Sequence, residues 1–160
     1  MTKELELKLV EKYPKILKDY EGDMQVTCMH WGFEHNDGWY DLLDKGMEKI
    51  QRYCDLAGCQ LIADQIKEKF GDLRFYYQTD QASVVDSEIL SDIVHSMERK
   101  SVKICENTGE LGCLCKRGGW YKTLSYTEGK KHEYAPISKA DQEYWKYLDS
   151  KMVEVPTANE

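Results

Sequence analysis

Gln60 to Asp80 reads QLIADQIKEKFGDLRFYYQTD, and whether this stretch is helix or hairpin sets the class of the whole chain. Ile62, Ile66 and Phe70 satisfy a period of four and a period of two alike. The Gly-Asp pair followed by LRFYYQT, dense in aromatics, favours two antiparallel strands over about 60–79 with the turn at Gly71-Asp72. Side chains alternate along a strand, so Gln65, Lys67 and Lys69 share one face while Ile62, Ile66 and Phe70 share the other. Arg74 and Tyr76, just across the turn, join the first face.

Helical patterns flank the hairpin. Leu5, Leu9, Tyr13, Ile16 and Tyr20, with Val10 and Leu17, recur at helical spacing, and Pro14 predicts a kink or a break into two short helices. Trp31 to Asn36 reads as a loop or short extended piece. From there Asp37 is placed to cap a helix whose buried stripe is Trp39, Leu43, Met47, Ile50 and Cys54. Beyond the hairpin, SVVDSEILSDIVHSMERK (83–100) is a helix capped by Ser83 or Asp86, with Ile89, Leu90, Ile93, Val94 and Met97 inward. A last helix begins at the capping pair Ser138 and Asp141 and packs through Tyr144, Trp145, Leu148 and Met152, after which a frayed tail is expected.

The sum is an α+β fold: a small antiparallel sheet packed with three to four helices, plus a degenerate zinc-knuckle-like loop. One domain is expected over residues 1–126, including that loop at 104–126, followed by a C-terminal extension, 127–160, with one helix. A chain of 160 residues, 41% hydrophobic and 32% charged, can bury one sizeable core without disulfides. No apolar run is long enough to cross a bilayer, and the start has no signal-peptide pattern, so a cytoplasmic location in a bacterial host cell and no membrane partner are expected. In that compartment Cys28, Cys54, Cys59, Cys105, Cys113 and Cys115 are free thiols or ligands rather than disulfides. The 22 basic and 29 acidic residues leave a net charge of -7, which disfavours indiscriminate nucleic-acid coating and makes a concentrated basic patch a precondition of any such contact.

The segment ICENTGELGCLCKRGGWYKTLSY, 104–126, has the outline of a zinc knuckle with ligands replaced. Cys105, Cys113 and Cys115 supply three thiols, and a fourth ligand would come from His132 or His30. Thr108, Ser125 and Glu128 stand where further cysteines belong, and hydroxyl oxygen is a poor zinc ligand. The competing expectation is a metal-free loop shaped by Gly109, Gly112, Gly118, Gly119 and Trp120. Cys28, His30 and His35 form a second cluster of ligand types, for which structural use is the simpler account.

KYPKIL (12–17), WGFEHNDGWYDLLDKGMEKIQ (31–51), QIKEKFGDLRFYY (65–77) and ICENTGELG with GGWYKTLSY (104–126) stand in this order. Together they resemble the blocks of an uncharacterised family of small phage and prophage proteins, which carry Cys-Gly-Asp-Gly-Trp, Gln-Val-Lys-Glu-Lys-Phe-Gly-x-Leu-Arg-Phe-Tyr and a Cys-x-x-Cys-Gly knuckle ending in Gly-Gly-Trp-x-x-Thr-Leu-Cys. The likeness runs from about Tyr13 to Tyr126. It implies a viral accessory protein with a compact α+β unit and a zinc-knuckle appendage. His35-Asn36 replaces the family's Cys-Gly here, and Thr108 and Ser125 replace knuckle cysteines.

Neither a Gly-x-Ser-x-Gly elbow, a His-Glu-x-x-His helix nor a phosphate-binding loop is present, and Glu34 with Asp37 is the sharpest carboxylate pair. A binding role is therefore expected in place of catalysis. The candidate surface is Gln65, Lys67, Lys69, Arg74 and Tyr76, with Trp31 or Trp120 exposed nearby as an aromatic anchor and Trp39 in the core. The expected partner is a host or defence protein that this chain blocks stoichiometrically. A nucleotide held by the basic patch, and nucleic acid held by a zinc-loaded knuckle, are the alternatives.

Overall fold

The computed structural model describes residues 1–152, the side chain of Met152 excepted; the tail beyond Met152 and its packing role fall outside the described residues. The α+β expectation holds, with five α-helices, one more than the three to four expected, and two three-stranded sheets among the described residues. The first sheet has the order β1-β2-β3, from Phe33–Glu34, Gln60–Lys69 and Asp72–Asp80. Its hairpin is the expected one, and β1 adds in parallel to β2, with Phe33 opposite Ile66 and Glu34 opposite Lys67.

Two details of the hairpin differ from the sequence expectation. Lys69 pairs with Asp72, so the turn is Phe70-Gly71, one residue earlier than Gly71-Asp72, and both central residues have positive φ (55° and 86°). This is the backbone demanded by the tight turn whose twist matches the strands. Glycine adopts it freely, whereas a phenylalanine there costs about 1–2 kcal/mol. The second difference is a register shift between Ala63 and Gln65, which inserts one residue and swaps the faces. Leu61, Ala63 and Ile66 thus all enter the main core, while Ile62 is buried away from it and does not share a face with Ile66. Phe70 does not join the buried face at all.

Against the inner face of this sheet pack α1 (Lys3–Lys12), α2 (Tyr40–Ala57) and α3 (Val84–Ser101). The α2 stripe is as read, with Trp39, Leu43, Met47, Ile50 and Cys54 all fully buried. Asp37 does not cap that helix, because its carboxylate accepts the backbone N–H of Thr2 at 2.6 Å, which ties the chain start to the entry of α2. Pro14 does end α1, but residues 14–20 form successive turns and no second helix. Their apolar residues Ile16 and Leu17 reach the core regardless. On α3, Ser83 and Asp86 cap reciprocally, and both proposed caps are used. Leu90, Val94 and Met97 are buried, whereas Ile89 and Ile93 stay partly open on the α2 side.

The outer edge of β3 is covered over its first residues by α3. The N–H of Leu73 donates to Ser101 Oγ at 2.9 Å and that of Phe75 to Glu98 Oε1 at 3.1 Å, so side chains from one helix satisfy donors that a neighbouring strand would otherwise claim.

The knuckle-like segment takes regular structure. It is a β-hairpin, β4 (Cys113–Arg117) and β5 (Trp120–Leu124), with Gly118-Gly119 at its tip. The segment after Tyr126 likewise holds more than the single helix expected of it. A short α4 (Tyr126–Lys131) precedes β6 (Ala135–Pro136), which pairs with β4 to complete the second sheet, and α5 (Lys139–Met152) then covers it. Ser138 and Asp141 cap α5 as read, and Trp145 is buried while Tyr144 is exposed. Cys105, Cys113, Cys115, Leu124, Tyr134 and Trp145 form a small second core.

The two cores meet where Gly38 packs on the 105–109 turn. Its N–H donates to Glu106 O at 2.8 Å, and the indole N–H of Trp39 donates to Ile104 O at 2.9 Å. A Cβ on Gly38 would lie 2.1 Å from Cys105 O and 2.5 Å from the Gly109 nitrogen, atoms of backbone that cannot swing aside. Gly38→Ala is expected to lower the unfolding free energy by about 3 kcal/mol, read as a reduced urea midpoint.

Candidate functional site

The β2–β3 hairpin brings the five sequence-selected binding residues to one face. Gln65 lies opposite Tyr76, and Lys67 opposite Arg74, so their side chains project together from the side of the sheet away from the main core, with Lys69 two residues on. Tyr76 is 44% exposed. Two acids share the face: Asp72 Oδ2 accepts from the Arg74 cation at 3.0 Å, and Glu34 Oε2 accepts from the Gln65 amide at 2.7 Å. Glu68 faces the opposite way, taking the N–H of Gly71. Among the described residues Lys67, Lys69 and Lys116 make no ion pair.

The face continues past the turn onto the second sheet. Phe70, 67% exposed, stands edge-on to Tyr121 with ring centroids 6.4 Å apart. Lys69 Nζ lies 5.8 Å from the Phe70 ring centre, and Lys116 Nζ 5.2 Å from that of Tyr121. The junction is fixed by Thr123 Oγ1, which donates to Gly71 O at 2.8 Å. The sequence pattern does not mark Phe70, Tyr121 or Lys116 as binding residues, because strict alternation puts Phe70 on the buried face and the other two lie in the knuckle-like segment. A bulky residue immediately before the turn glycine was the available signal.

The tryptophans separate. Trp39 is core, as read. Trp31 and Trp120 are 62% and 75% exposed. Trp31 sits edge-on to His30, in a 3-10 turn over Cys28–Trp31. Trp120 faces Arg117 across β4–β5, on the side opposite Lys116 and Tyr121, and Arg117 stacks over Tyr134 at 4.9 Å.

The cysteines of the knuckle form a core and do not assemble a four-ligand zinc site. Cys113 and Cys115 occupy alternate positions of β4, with sulfurs 3.7 Å apart, and Cys105 is buried in the same cluster. The contact between the two thiols holds the Cys113 pKa down and pushes that of Cys115 up, and burial adds to the rise at Cys115. Neither proposed fourth ligand turns towards them: His30 Nδ1 meets Gly22 O at 2.7 Å, and His132 Nε2 meets Glu128 Oε2 at 3.3 Å. Among the described residues no group of three or more His, Cys, Asp and Glu converges as a metal would require.

Two other concavities have a different character. A cavity of about 680 Å³ between α2 and α3 has Leu42, Ile89, Ile93 and Met97 in its walls, and its rim mixes Asp41, Glu48 and Asp92 with Lys45, Lys49 and Lys100. Its charges therefore select no single sign of partner. A polar cleft of about 510 Å³ is lined by Asn36, Asp37, Asn107, Glu128, Lys131 and His132 among others. Its polar groups are consumed by one another: Asn36 Nδ2 donates to Asn107 Oδ1, and Asn107 Nδ2 donates to Glu128 Oε2, both at 2.7 Å. This chain staples the first core to α4.

Compared with known proteins, the chain matches no family model, no curated protein and no solved structure. Among the described residues no helix is long and apolar enough to cross a membrane.

His35, beside the staple, titrates out of the ordinary. Its ring lies between Phe33 and Trp39, Nδ1–H donates to Asn36 O at 2.7 Å, and Nε2 is buried without a partner. Burial disfavours the charged ring and lowers its pKa to about 4. The unfolded chain, with an ordinary value near 6.5, takes up the proton first, so stability is complete above about pH 6.5 and falls as pH drops towards 4. Between pH 7.5 and pH 5 the loss is expected to be about 2 kcal/mol by urea denaturation, and His35→Phe should remove most of that slope.

Proposed function

We propose that this is a non-catalytic, phage-type accessory protein that binds and blocks an anionic bacterial defence or host component, acting one-to-one through the hairpin face of Gln65, Lys67, Lys69, Arg74 and Tyr76. The observation that carries this reading is the common orientation of those five side chains on a paired, bulge-registered hairpin. Rigid presentation lowers the ordering cost of binding, and arginine and lysine offer a planar fork and a mobile charge to an acidic surface. Among the described residues Lys67 and Lys69 make no ion pair and, with Arg74, outnumber Asp72 and Glu34 on this face, a local excess of positive charge in a molecule of net charge -7 that orients an approaching anion. The likeness to phage and prophage proteins supplies the biological setting and nothing about the partner.

The test is capture from a bacterial lysate on immobilised protein, followed by native mass spectrometry. Wild-type protein is expected to retain a component in fixed ratio. Combined Lys67→Glu and Arg74→Glu should weaken retention at least about tenfold while leaving the thermal midpoint close to wild type. Equal retention by the charge-reversed variant, or repeated turnover of a substrate by the purified protein, would overturn the proposal.

A further inference from the structure

Phe70 is the most anomalous residue of the hairpin. It is a bulky side chain at φ 55°, in a turn position that suits asparagine or glycine, and its ring is held out in water, where it gains little from burial. A residue that opposes both local backbone preference and hydrophobic burial calls for another use, and strain of this kind collects at ligand contacts. Its surroundings indicate which ligand. The ring stands at right angles to that of Tyr121, Lys69 Nζ lies over the Phe70 ring and Lys116 Nζ over the Tyr121 ring, and Phe70 stays 67% exposed.

We infer that the hairpin face and its tip bind single-stranded nucleic acid, a base stacking on Phe70 while Lys67, Lys69, Arg74 and Lys116 contact successive phosphates. This rests on the binding role proposed above and names the chemistry of the anion. The net charge of the chain argues against nucleic acid in general, but it left room for a local basic patch, and the fold assembles one from two sheets. Lys67, Lys69 and Lys116 are strung along the surface, with Arg74 beside Lys67. Lys67 and Lys69 are two residues apart on one strand, about 6.6 Å, and the line extends through Lys69 to Phe70, Tyr121 and Lys116. A linear array with an exposed aromatic beside it suits an extended phosphodiester strand with an unstacked base. A lone phosphate would ask for converging donors, and a duplex hides the faces of its bases.

The experiment is fluorescence anisotropy of a labelled oligothymidine of about 12 nucleotides, titrated with the full chain at roughly 50 and 200 mM salt. Binding that weakens with salt is expected, as is a loss of about tenfold or more on Phe70→Asn, which keeps the turn and removes the ring. Lys116→Glu should weaken binding and flatten the salt dependence. The thermal midpoint of Phe70→Asn should equal or exceed that of wild type, because the strain is relieved. The inference is overturned by any of four results: no binding at micromolar protein, unchanged affinity in Phe70→Asn, a clear fall in its midpoint, or equal affinity for a duplex or for thymidine monophosphate. If the oligonucleotide is ignored while Lys67→Glu with Arg74→Glu still abolishes capture of a lysate protein, this inference fails and the stoichiometric binding role stands. If both are lost, both fail.

Discussion

Glu106 is the constraint on which the arrangement of the two sheets depends. It is 2% exposed, and a buried carboxylate is tolerated only when its oxygens are occupied. The Asn36 N–H donates to one oxygen at 3.2 Å, and Lys122 Nζ meets the other at 2.9 Å. Its backbone works as hard as its side chain, donating to Thr123 O and accepting from Gly38 N. One residue thus binds the approach to α2 and strand β5 to the same point. Because half of this set is charged, losing one partner would leave an uncompensated charge inside the joint, which is more damaging than losing an apolar contact there.

From that joint the rest follows in order. Gly38 can lie against the 105–109 turn only because it has no side chain, and Trp39 enters the first core with its N–H already satisfied by Ile104. The second sheet is thereby held beside the first hairpin, where Thr123 clasps Gly71 and places Tyr121 against Phe70. The cationic and aromatic surface is a product of this docking: neither sheet contains it alone.

The sequence made some of this legible and hid the rest for identifiable reasons. Helix α2 was plain because five apolar residues at helical spacing leave no competing pattern. The hairpin was found from its aromatics, yet its turn and faces were misplaced, since an inserted residue at Asp64 changes parity midway and no local signal marks it. The cysteines suggested an ion because their types match ligands. Their positions on alternate residues of a strand instead send two of them into an apolar core, a use as common for thiols as ligation. Strand β6, two residues including Pro136, has no propensity of its own and exists because β4 offers it an edge. Asp37 has the form of a cap, and only the fold could reveal that the backbone of Thr2 reaches it first. The binding face was recoverable residue by residue, but its extension to Lys116 and Tyr121 required contacts between segments some fifty residues apart.

The donors of Leu73 and Phe75, committed to Ser101 and Glu98, carry a last consequence. A naked strand rim is where a second molecule can zip on and seed fibre growth, and here a helix occupies the first part of that rim with fixed chemistry. The opposite rim is β1, too brief at two residues to template much. Pairing between the first sheets of two copies is therefore disfavoured at both of these places.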